Sequence, residues 1–241
     1  MKNDGEERKI PVNERIQSID ALRGLCVILM VAHHFLYDLV AFAGAPKWLF
    51  FNPLFDVLEP LFAGCFIMLA GVSSRFSRSN IKRGLRALAA ATVITAVSLF
   101  MGMPILFGIL HFLGLAMVLY GLCHSLWEKL PPSILPWLCA LLFAVSLALL
   151  RLAEVKSPYL WIFGFTYEGF ASADYFPLLP WIFVFLFGAY LGQHLKERRL
   201  PAGVYSVNPP LFPAIGRRAF IIYLLHQPIL YGITMLIVNF S

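Results

Sequence analysis

The stretch 18–39 reads SIDALRGLCVILMVAHHFLYDL, a long apolar run interrupted by ionisable side chains. These side chains are Asp20, Arg23, His33, His34 and Asp38. A run of about 20 apolar residues is long enough to cross the hydrocarbon core of a bilayer, so the stretch predicts a membrane-spanning helix. At about 100° per residue, Arg23 and His34 differ by only about 20° around this helix, and Asp38 lies one turn beyond His34. Ionisable groups at that depth are costly unless they are paired or hydrated, so this stripe predicts a functional site.

The composition of the whole chain agrees with a membrane protein. Of the 241 residues, 60% are hydrophobic and 13% are charged. Soluble domains are about half apolar and a quarter charged, so most of this chain belongs inside a bilayer. We predict an all-α integral membrane protein, with a flexible cytoplasmic N-terminus at 1–17 and a single multi-pass domain at 18–241.

Seven apolar segments are long enough to span the bilayer. Their approximate bounds, from runs of apolar residues and from Pro and Gly breaks, are about 20–43, 53–74, 84–102, 105–126, 134–152, 176–195 and 215–239. We interpret the first as an uncleaved span, because its apolar run is too long and too charged for a signal peptide. The aromatic run 159–165 is too short to cross, and we expect an interfacial or re-entrant segment there.

Lys and Arg set the orientation. With the N-terminus in the cytoplasm, 16 of the 19 Lys and Arg residues fall in cytoplasmic segments or at cytoplasmic helix ends. This asymmetry predicts a cytoplasmic N-terminus and an extracytoplasmic C-terminus. It also explains the net charge of +6, which therefore does not indicate a nucleic-acid partner.

Four cysteines lie within the apolar runs: Cys26, Cys65, Cys123 and Cys139. No two of them form a CxxC pair, and no histidine stands beside them at a metal-ligand spacing. We therefore expect small buried hydrophobic side chains, with no disulfide and no metal site.

Three histidines lie near the middle or in the outer half of the predicted bilayer: His34, His111 and His226. Asp38 and Asp56 stand toward the outer face, with Glu59, Glu168 and Asp174. A histidine at this depth could act as a general base or carry an acyl group, and arginines at the cytoplasmic ends could meet a polyanionic donor. Each of these side chains could instead bond a neighbouring helix or mark a hydrated helix end.

Six blocks of sequence carry a resemblance to a known family. They are DALRG followed by HHFLYDL (20–39), FIMLAGVSSRFSRS (66–79) with KRGLR (82–86), FGILHFLGLAMVLY (107–120), DYFPLLPWIFVFLFGAYLG (174–192) and GRRAFIIYLLHQPIL (216–230). The first block is similar to the signature of membrane-bound acyltransferases, in which ten residues separate an Arg from a His. Together the blocks resemble the bacterial members of the heparan-alpha-glucosaminide N-acetyltransferase catalytic-domain family.

That resemblance implies a transfer across the membrane. The donor would be cytoplasmic acetyl-CoA, and the acceptor would be an amine or hydroxyl of a glycan or lipid-linked sugar outside. His34 and Arg23 occupy the family's histidine and arginine positions, and Asp56 falls where the family has an acidic residue. The lysosomal members carry a catalytic histidine in the loop after the first helix, whereas the corresponding loop here, 44–52, has none.

The sequence therefore predicts an acetyl-CoA-dependent acyltransferase of a bacterial plasma membrane. His34 would be the base or a transient acyl carrier, oriented by Asp38, with Asp56, His111 and His226 as further candidates. The donor phosphates would meet Arg23, Arg83, Arg86, Arg217 and Arg218. The alternatives are a small proton-coupled transporter, in which the stripe relays protons, and a non-catalytic partner subunit.

Overall fold

The computed structural model describes residues 16–153, 155, 157–206 and 209–240. The first fifteen residues of the predicted flexible N-terminus lie outside this part of the chain. The described residues form an all-helical protein without strands. The helices are α1 Gln17–Phe42, α2 Pro53–Ser74, α3 Asn80–Phe100, α4 Ile109–Trp127, α5 Leu135–Leu152, α6 Leu178–Lys196, α7 Gly203–Ser206, α8 Phe212–Arg217 and α9 Ala219–Phe240.

Seven helices in this described part are long and apolar enough to cross a membrane, and they confirm the seven predicted spans. They are α1 to α6 and α9; the second candidate span also takes in the short 3-10 helix Lys47–Leu49 before α2. The run 159–165 contains one turn of 3-10 helix, Trp161–Phe163. The segment between α6 and α9 contains the short helices α7 and α8.

Polar side chains cap the starts of α2, α3 and α4, and two of these starts differ from the predicted ones. Ser79 accepts a hydrogen bond from the Lys82 amide at 3.3 Å, so α3 begins four residues before the apolar run. The Asp174 carboxylate accepts from the Ile109 amide at 3.0 Å, and α4 begins at that residue. Helix α2 begins at Pro53, as predicted. The Asn52 side chain caps this start by accepting from the Leu54 and Phe55 amides, each at 3.1 Å.

The described residues fall into two compact units. The terminal unit contains residues 16–66 and 200–240, and the central unit contains residues 67–199. Helix α2 contributes residues to each, because the division lies between Phe66 and Ile67. The prediction of one membrane domain at 18–241 stays a prediction.

In the terminal unit, α1 packs against α8 through two glycines. A Cβ atom on Gly24 would collide with the carbonyl oxygen of Phe212, and one on Gly216 would collide with the carbonyl oxygen of Asp20. The two backbones therefore touch, which only residues without a side chain allow. Both glycines belong to sequence blocks singled out above, DALRG and GRR, so close helix packing explains their place there.

Glycines at helix contacts also allow close packing in the central unit. Gly84 on α3 faces Gly114 on α4, and Gly71 on α2 and Gly188 on α6 each meet the backbone of the facing helix. Within lipid the hydrophobic effect does not drive helices together. Close van der Waals packing of the backbones at small residues stabilises their association instead.

A methyl group on Gly188 should therefore destabilise the protein. We expect Gly188→Ala to lower the free energy of unfolding by about 1–3 kcal/mol, as overpacking does, because its Cβ would collide with the Met68 carbonyl group. The measurement is the midpoint of thermal unfolding of the purified protein in detergent. Gly232→Ala on α9 is the matched control, since a Cβ there meets no atom within 4 Å. Equal midpoints for the two variants would contradict this account of the packing.

Candidate active site

Two histidines meet in the terminal unit. His34 on α1 and His226 on α9 have ring centroids 4.9 Å apart, with the rings inclined at 68°. His226 is buried, at 8% exposure, and His34 is half-buried. The structure thus brings together two of the three histidines that the sequence singled out by depth.

Backbone carbonyl groups fix the protonation pattern of both rings. Nδ1 of His34 lies 2.9 Å from the Met30 carbonyl oxygen, and Nδ1 of His226 lies 2.6 Å from that of Tyr223. A carbonyl oxygen only accepts, so each Nδ1 must carry the proton and donate it. In a neutral imidazole, Nε2 then holds a lone pair, so both rings offer a basic nitrogen.

The basic nitrogen of His226 is buried and makes no hydrogen bond with any described residue. A buried polar atom without a partner costs free energy, and such atoms are uncommon in folded proteins. An orphaned acceptor beside a second imidazole is suited to receive a proton from a bound hydroxyl or amine.

Asp38 and Gln227 form a second bridge between the same helices. The Gln227 amide nitrogen donates to Asp38 Oδ1 at 2.9 Å and is 3.2 Å from Oδ2. Asp38 is fully buried, at 0% exposure. Gln227 follows His226 directly, and Asp38 lies one turn beyond His34, so this bond sets α1 and α9 in the register that pairs the histidines. In the described contacts the Met30 carbonyl, rather than Asp38, holds His34 Nδ1.

His33 lies in an aromatic cluster beside the pair, with its ring centroid 5.8 Å from that of His34. Its ring packs against Phe50, Phe55 and Phe62, with centroid distances of 4.7, 5.4 and 5.7 Å. Its Nε2 lies 3.8 Å from the Glu59 carboxylate. This position agrees with a packing role for His33.

The other terminal-unit candidates lie at helix ends or near the start of α1. Arg23 Nη1 contacts Asp20 Oδ1 at 2.7 Å, so a carboxylate already partners this guanidinium. Arg217 and Arg218, at the end of α8, are exposed. Asp56 is also exposed, in the first turn of α2.

His111, the third histidine, belongs to the central unit. Thr95 Oγ1 donates to the Ile105 carbonyl oxygen at 2.6 Å, so its hydroxyl proton is already used. His111 Nε2 lies 3.0 Å from the same Oγ1 and must therefore be the donor in that contact. Its Nε2 thus carries the proton, opposite to the arrangement in His34 and His226. Arg83 donates to the Ser73 carbonyl oxygen at 3.3 Å, and Arg86 is exposed on α3.

Asp174 and Tyr175 hold the loop before α6. Asp174 caps α4 as described above, and the Tyr175 hydroxyl donates to the Trp161 carbonyl oxygen. Burial raises the pKa of Tyr175 to about 12, so the hydroxyl keeps its proton at neutral pH. The contact of Asp174 is structural, although its position in the sequence placed it among the outer carboxylates.

Two polar contacts escaped the sequence analysis as candidates. One is Gln227, noted only as a neighbour of His226. The other is Arg75, whose Nη1 donates to the Tyr120 hydroxyl and to Glu128 Oε1, each at 2.9 Å. Burial alone would lower the pKa of Arg75, but the contacts with Tyr120 and Glu128 outweigh it and raise that pKa. The Arg75 guanidinium therefore stays positively charged. Nothing in the sequence separates Arg75 from the other basic residues that the orientation rule explains.

Fold and site define a class of protein: a multi-pass helical membrane protein with basic imidazoles buried among its helices. No group of three or more His, Cys, Asp or Glu side chains among the described residues is arranged to hold a metal ion. The model of one family, "Heparan-alpha-glucosaminide N-acetyltransferase, catalytic", matches residues 15–228. The chain belongs to this family of membrane acetyltransferases, which confirms the resemblance drawn from the motifs. No curated protein and no solved structure matches the chain.

The Asp38–Gln227 bridge can be tested by stability. We expect Gln227→Leu to lower the free energy of unfolding by about 1–3 kcal/mol, because it leaves a buried acceptor unpaired. Adding Asp38→Leu should restore part of the loss, since removing both partners leaves no orphaned polar group. Thermal unfolding in detergent measures both effects. Gln193→Leu is the control, because among the described residues that side chain bonds to Glu197, the residue directly after α6, at 3.2 Å, and so joins no two helices. A loss no larger for Gln227→Leu would refute the role of the bridge.

Proposed function

We propose that the protein transfers an acetyl group from acetyl-CoA to an amine or hydroxyl of a glycan or lipid-linked sugar on the opposite side of the membrane. The family supports acyl transfer in a membrane. The basic cytoplasmic segments support a phosphate-bearing donor on that side. The setting would be a bacterial plasma membrane, with the N-terminus in the cytoplasm.

One observation carries the choice of catalytic residues: His34 and His226 lie with ring centroids 4.9 Å apart, and each Nδ1 contacts a backbone carbonyl oxygen, so the neutral ring has its lone pair on Nε2. A general base must hold a lone pair within reach of the acceptor's proton. His34 is the better candidate for the base because it is the less buried of the two and lies on the helix with the Arg23 motif. His226 would be the second imidazole, and its Nε2 could accept the proton from His34.

In the direct route, the acetyl group passes from the thioester to the acceptor without a covalent enzyme intermediate. His34 Nε2 removes the proton from the acceptor's hydroxyl or amine as the oxygen or nitrogen attacks the thioester carbonyl carbon. The carbon–sulfur bond breaks, and the thiolate of CoA leaves and recovers a proton from the imidazolium. If His34 carries the acyl group instead, its Nε2 attacks first and the acceptor takes the acetyl group from the ring in a second step.

Asp38 would stabilise the imidazolium that forms in either route. It is a buried acid one turn from His34, and the Gln227 amide holds its carboxyl oxygens in place. An ionised Asp38 at that position would lower the free energy of the charged ring in a medium of low dielectric constant. In this proposal Asp38 acts through charge, while the Met30 carbonyl orients the ring.

The remaining candidates would bind rather than react. Arg86, Arg217 and Arg218 are exposed and could approach the donor's phosphates. Arg23 and Arg83 would join them, because each guanidinium has further N–H donors besides the one that contacts Asp20 or the Ser73 carbonyl. Asp56 would meet the acceptor sugar at the other side. His111 would act only in a supporting role, because its Nε2 already donates to Thr95.

Release of free CoA thiol from acetyl-CoA tests the proposal. In nanodiscs with pooled envelope glycans, we expect the purified protein to release thiol, and His34→Ala to reduce the rate by about 10²–10⁴-fold, the usual contribution of a general base. His194→Ala is the matched control, because its Nδ1 also contacts a backbone carbonyl, that of Tyr190, at 3.2 Å. It should keep the wild-type rate.

Two results would count against this account. Absence of thiol release by the wild-type protein would favour the transporter or partner-subunit alternatives. Release that survives His34→Ala but not His226→Ala would keep the enzyme and move the base to α9.

A further inference from the structure

Packing accounts for the ring of His33 but not for its nitrogens. The residue is buried, at 7% exposure, and the phenyl rings of Phe50, Phe55 and Phe62 pack against it. Its Nε2 makes no hydrogen bond with any described residue. A buried polar atom without such a partner costs free energy, whereas a phenylalanine would fill the same aromatic cluster without that cost. The imidazole at this position therefore indicates a role in addition to packing.

Two other titratable side chains lie beside His33 in the terminal unit. The ring of His34 is 5.8 Å away between centroids, and the carboxylate of Glu59 on α2 is 3.8 Å from His33 Nε2. Since His226 in turn lies against His34, the four residues form a continuous series, which we call the histidine–glutamate row. It runs from a buried histidine to a carboxylate whose side chain is 51% exposed.

The exposed end of the histidine–glutamate row is close to a helix end. Glu59 lies about 9 Å along α2 from its first residue, Pro53, at about 1.5 Å rise per residue. The orientation predicted above places this end of α2 outside the membrane. An exposed carboxylate at this level reaches water or the headgroup region, because the hydrocarbon core excludes charge.

The gaps within the histidine–glutamate row are small enough for a proton to cross after a slight rearrangement. The 3.8 Å contact exceeds a hydrogen bond by less than 1 Å, and rotation of the exposed Glu59 side chain would close it. Between His33 and His34, one water molecule or a ring rotation would complete the contact. Imidazole is suited to such transfer because it can take up a proton on one nitrogen and release one from the other.

We infer that His33 and Glu59 form a proton relay between the His34–His226 pair and water at the outer end of α2. This inference rests on the proposed function, in its two-step route. In the first step His34 Nε2 attacks the thioester carbon, the carbon–sulfur bond breaks, and the thiolate of CoA takes a proton from water on the donor side. The thiolate has therefore left before the acceptor reacts, and the acceptor's proton needs another exit.

The relay supplies that exit in the second step. The acceptor oxygen or nitrogen attacks the acetyl carbon while its proton passes to His226 Nε2. The bond between the acetyl carbon and His34 Nε2 breaks, and its electron pair returns to Nε2. The proton then moves from His226 through His34 and His33 to Glu59 and into water. One proton is thus taken up on the donor side and one is released on the acceptor side in each turnover.

The first turnover separates the step that needs the relay from the step that does not. In nanodiscs with acetyl-CoA and pooled envelope glycans, we expect Glu59→Gln to release the first equivalent of thiol per protein as wild type does. Its later, steady-state rate should fall by about 10²-fold, the lower end of the contribution of an acid–base group. Excess imidazole in the buffer should restore much of this rate, because the Glu59 side chain is half exposed and a small base can replace it.

Glu168→Gln is the matched control, because Glu168 is also an exposed carboxylate on the predicted outer face and does not belong to the histidine–glutamate row. It should keep both phases of thiol release. His33→Phe is a second variant, which keeps an aromatic ring but removes the nitrogens. We expect the same steady-state loss as in Glu59→Gln, no rescue by imidazole, and a thermal unfolding midpoint at or above that of wild type.

The outcomes separate the relay from the proposed function. Wild-type steady-state rates in both Glu59→Gln and His33→Phe would overturn the relay and keep the enzyme. Loss of the first equivalent together with a lowered unfolding midpoint would make the two residues structural and also overturn the relay.

Wild-type protein that releases no thiol would overturn the proposed function, and a measurement without substrate then decides on the contact. Solid-state NMR of protein labelled with ¹⁵N-histidine assigns the His33 signals by their absence in His33→Phe. A shift of these signals in Glu59→Gln supports the link between His33 and Glu59. Unchanged signals overturn it.

Discussion

A carboxylate inside a membrane helix has no water to bond with, so its partner must come from the protein. Asp38 is completely buried, and its partner is the Gln227 amide, 2.9 Å away. The pairing of α1 with α9 follows from that requirement. The bond pins α1 to α9 one turn beyond His34, and it places His226, the residue before Gln227, against the His34 ring.

Polar groups in the central unit show how differently the same residue types can be used. His111 Nε2 donates a hydrogen bond to the Thr95 hydroxyl, which in turn donates to the Ile105 carbonyl oxygen in the segment before α4. Asp174 caps the first turn of α4 rather than facing a ligand. Burial alone thus does not mark a catalytic group. The Nε2 of His226 has no hydrogen-bond partner among the described residues, but neither has the Nε2 of His33, so the closer approach of the His226 ring to the His34 ring, 4.9 Å against 5.8 Å for His33, is what sets His226 apart.

The sequence predicted the fold well, because about 20 apolar residues between charged or Pro-rich breaks are a direct consequence of bilayer thickness. Helical periodicity also placed His34 and Asp38 on one side of α1. It could not supply the partner, because Gln227 lies 189 residues away and its contact depends on how α9 packs. The start of α4 was missed for a similar reason, since the capping carboxylate is 65 residues distant. The sequence does not separate Arg75 from its basic neighbours, because its hydrogen bonds to Tyr120 and Glu128 depend on how the helices pack.

The separation between Asp38 and Gln227 also has a consequence for biogenesis. At a synthesis rate of about 5–20 residues per second, roughly 10–40 s pass between the two residues leaving the ribosome. During that interval the first helix must reside in the membrane, or beside the insertion machinery, with its acid either protonated or sheltered by another molecule. Completion of the final helix is therefore the event that first gives Asp38 its native hydrogen-bond partner, and an incomplete nascent chain carries no assembled histidine pair.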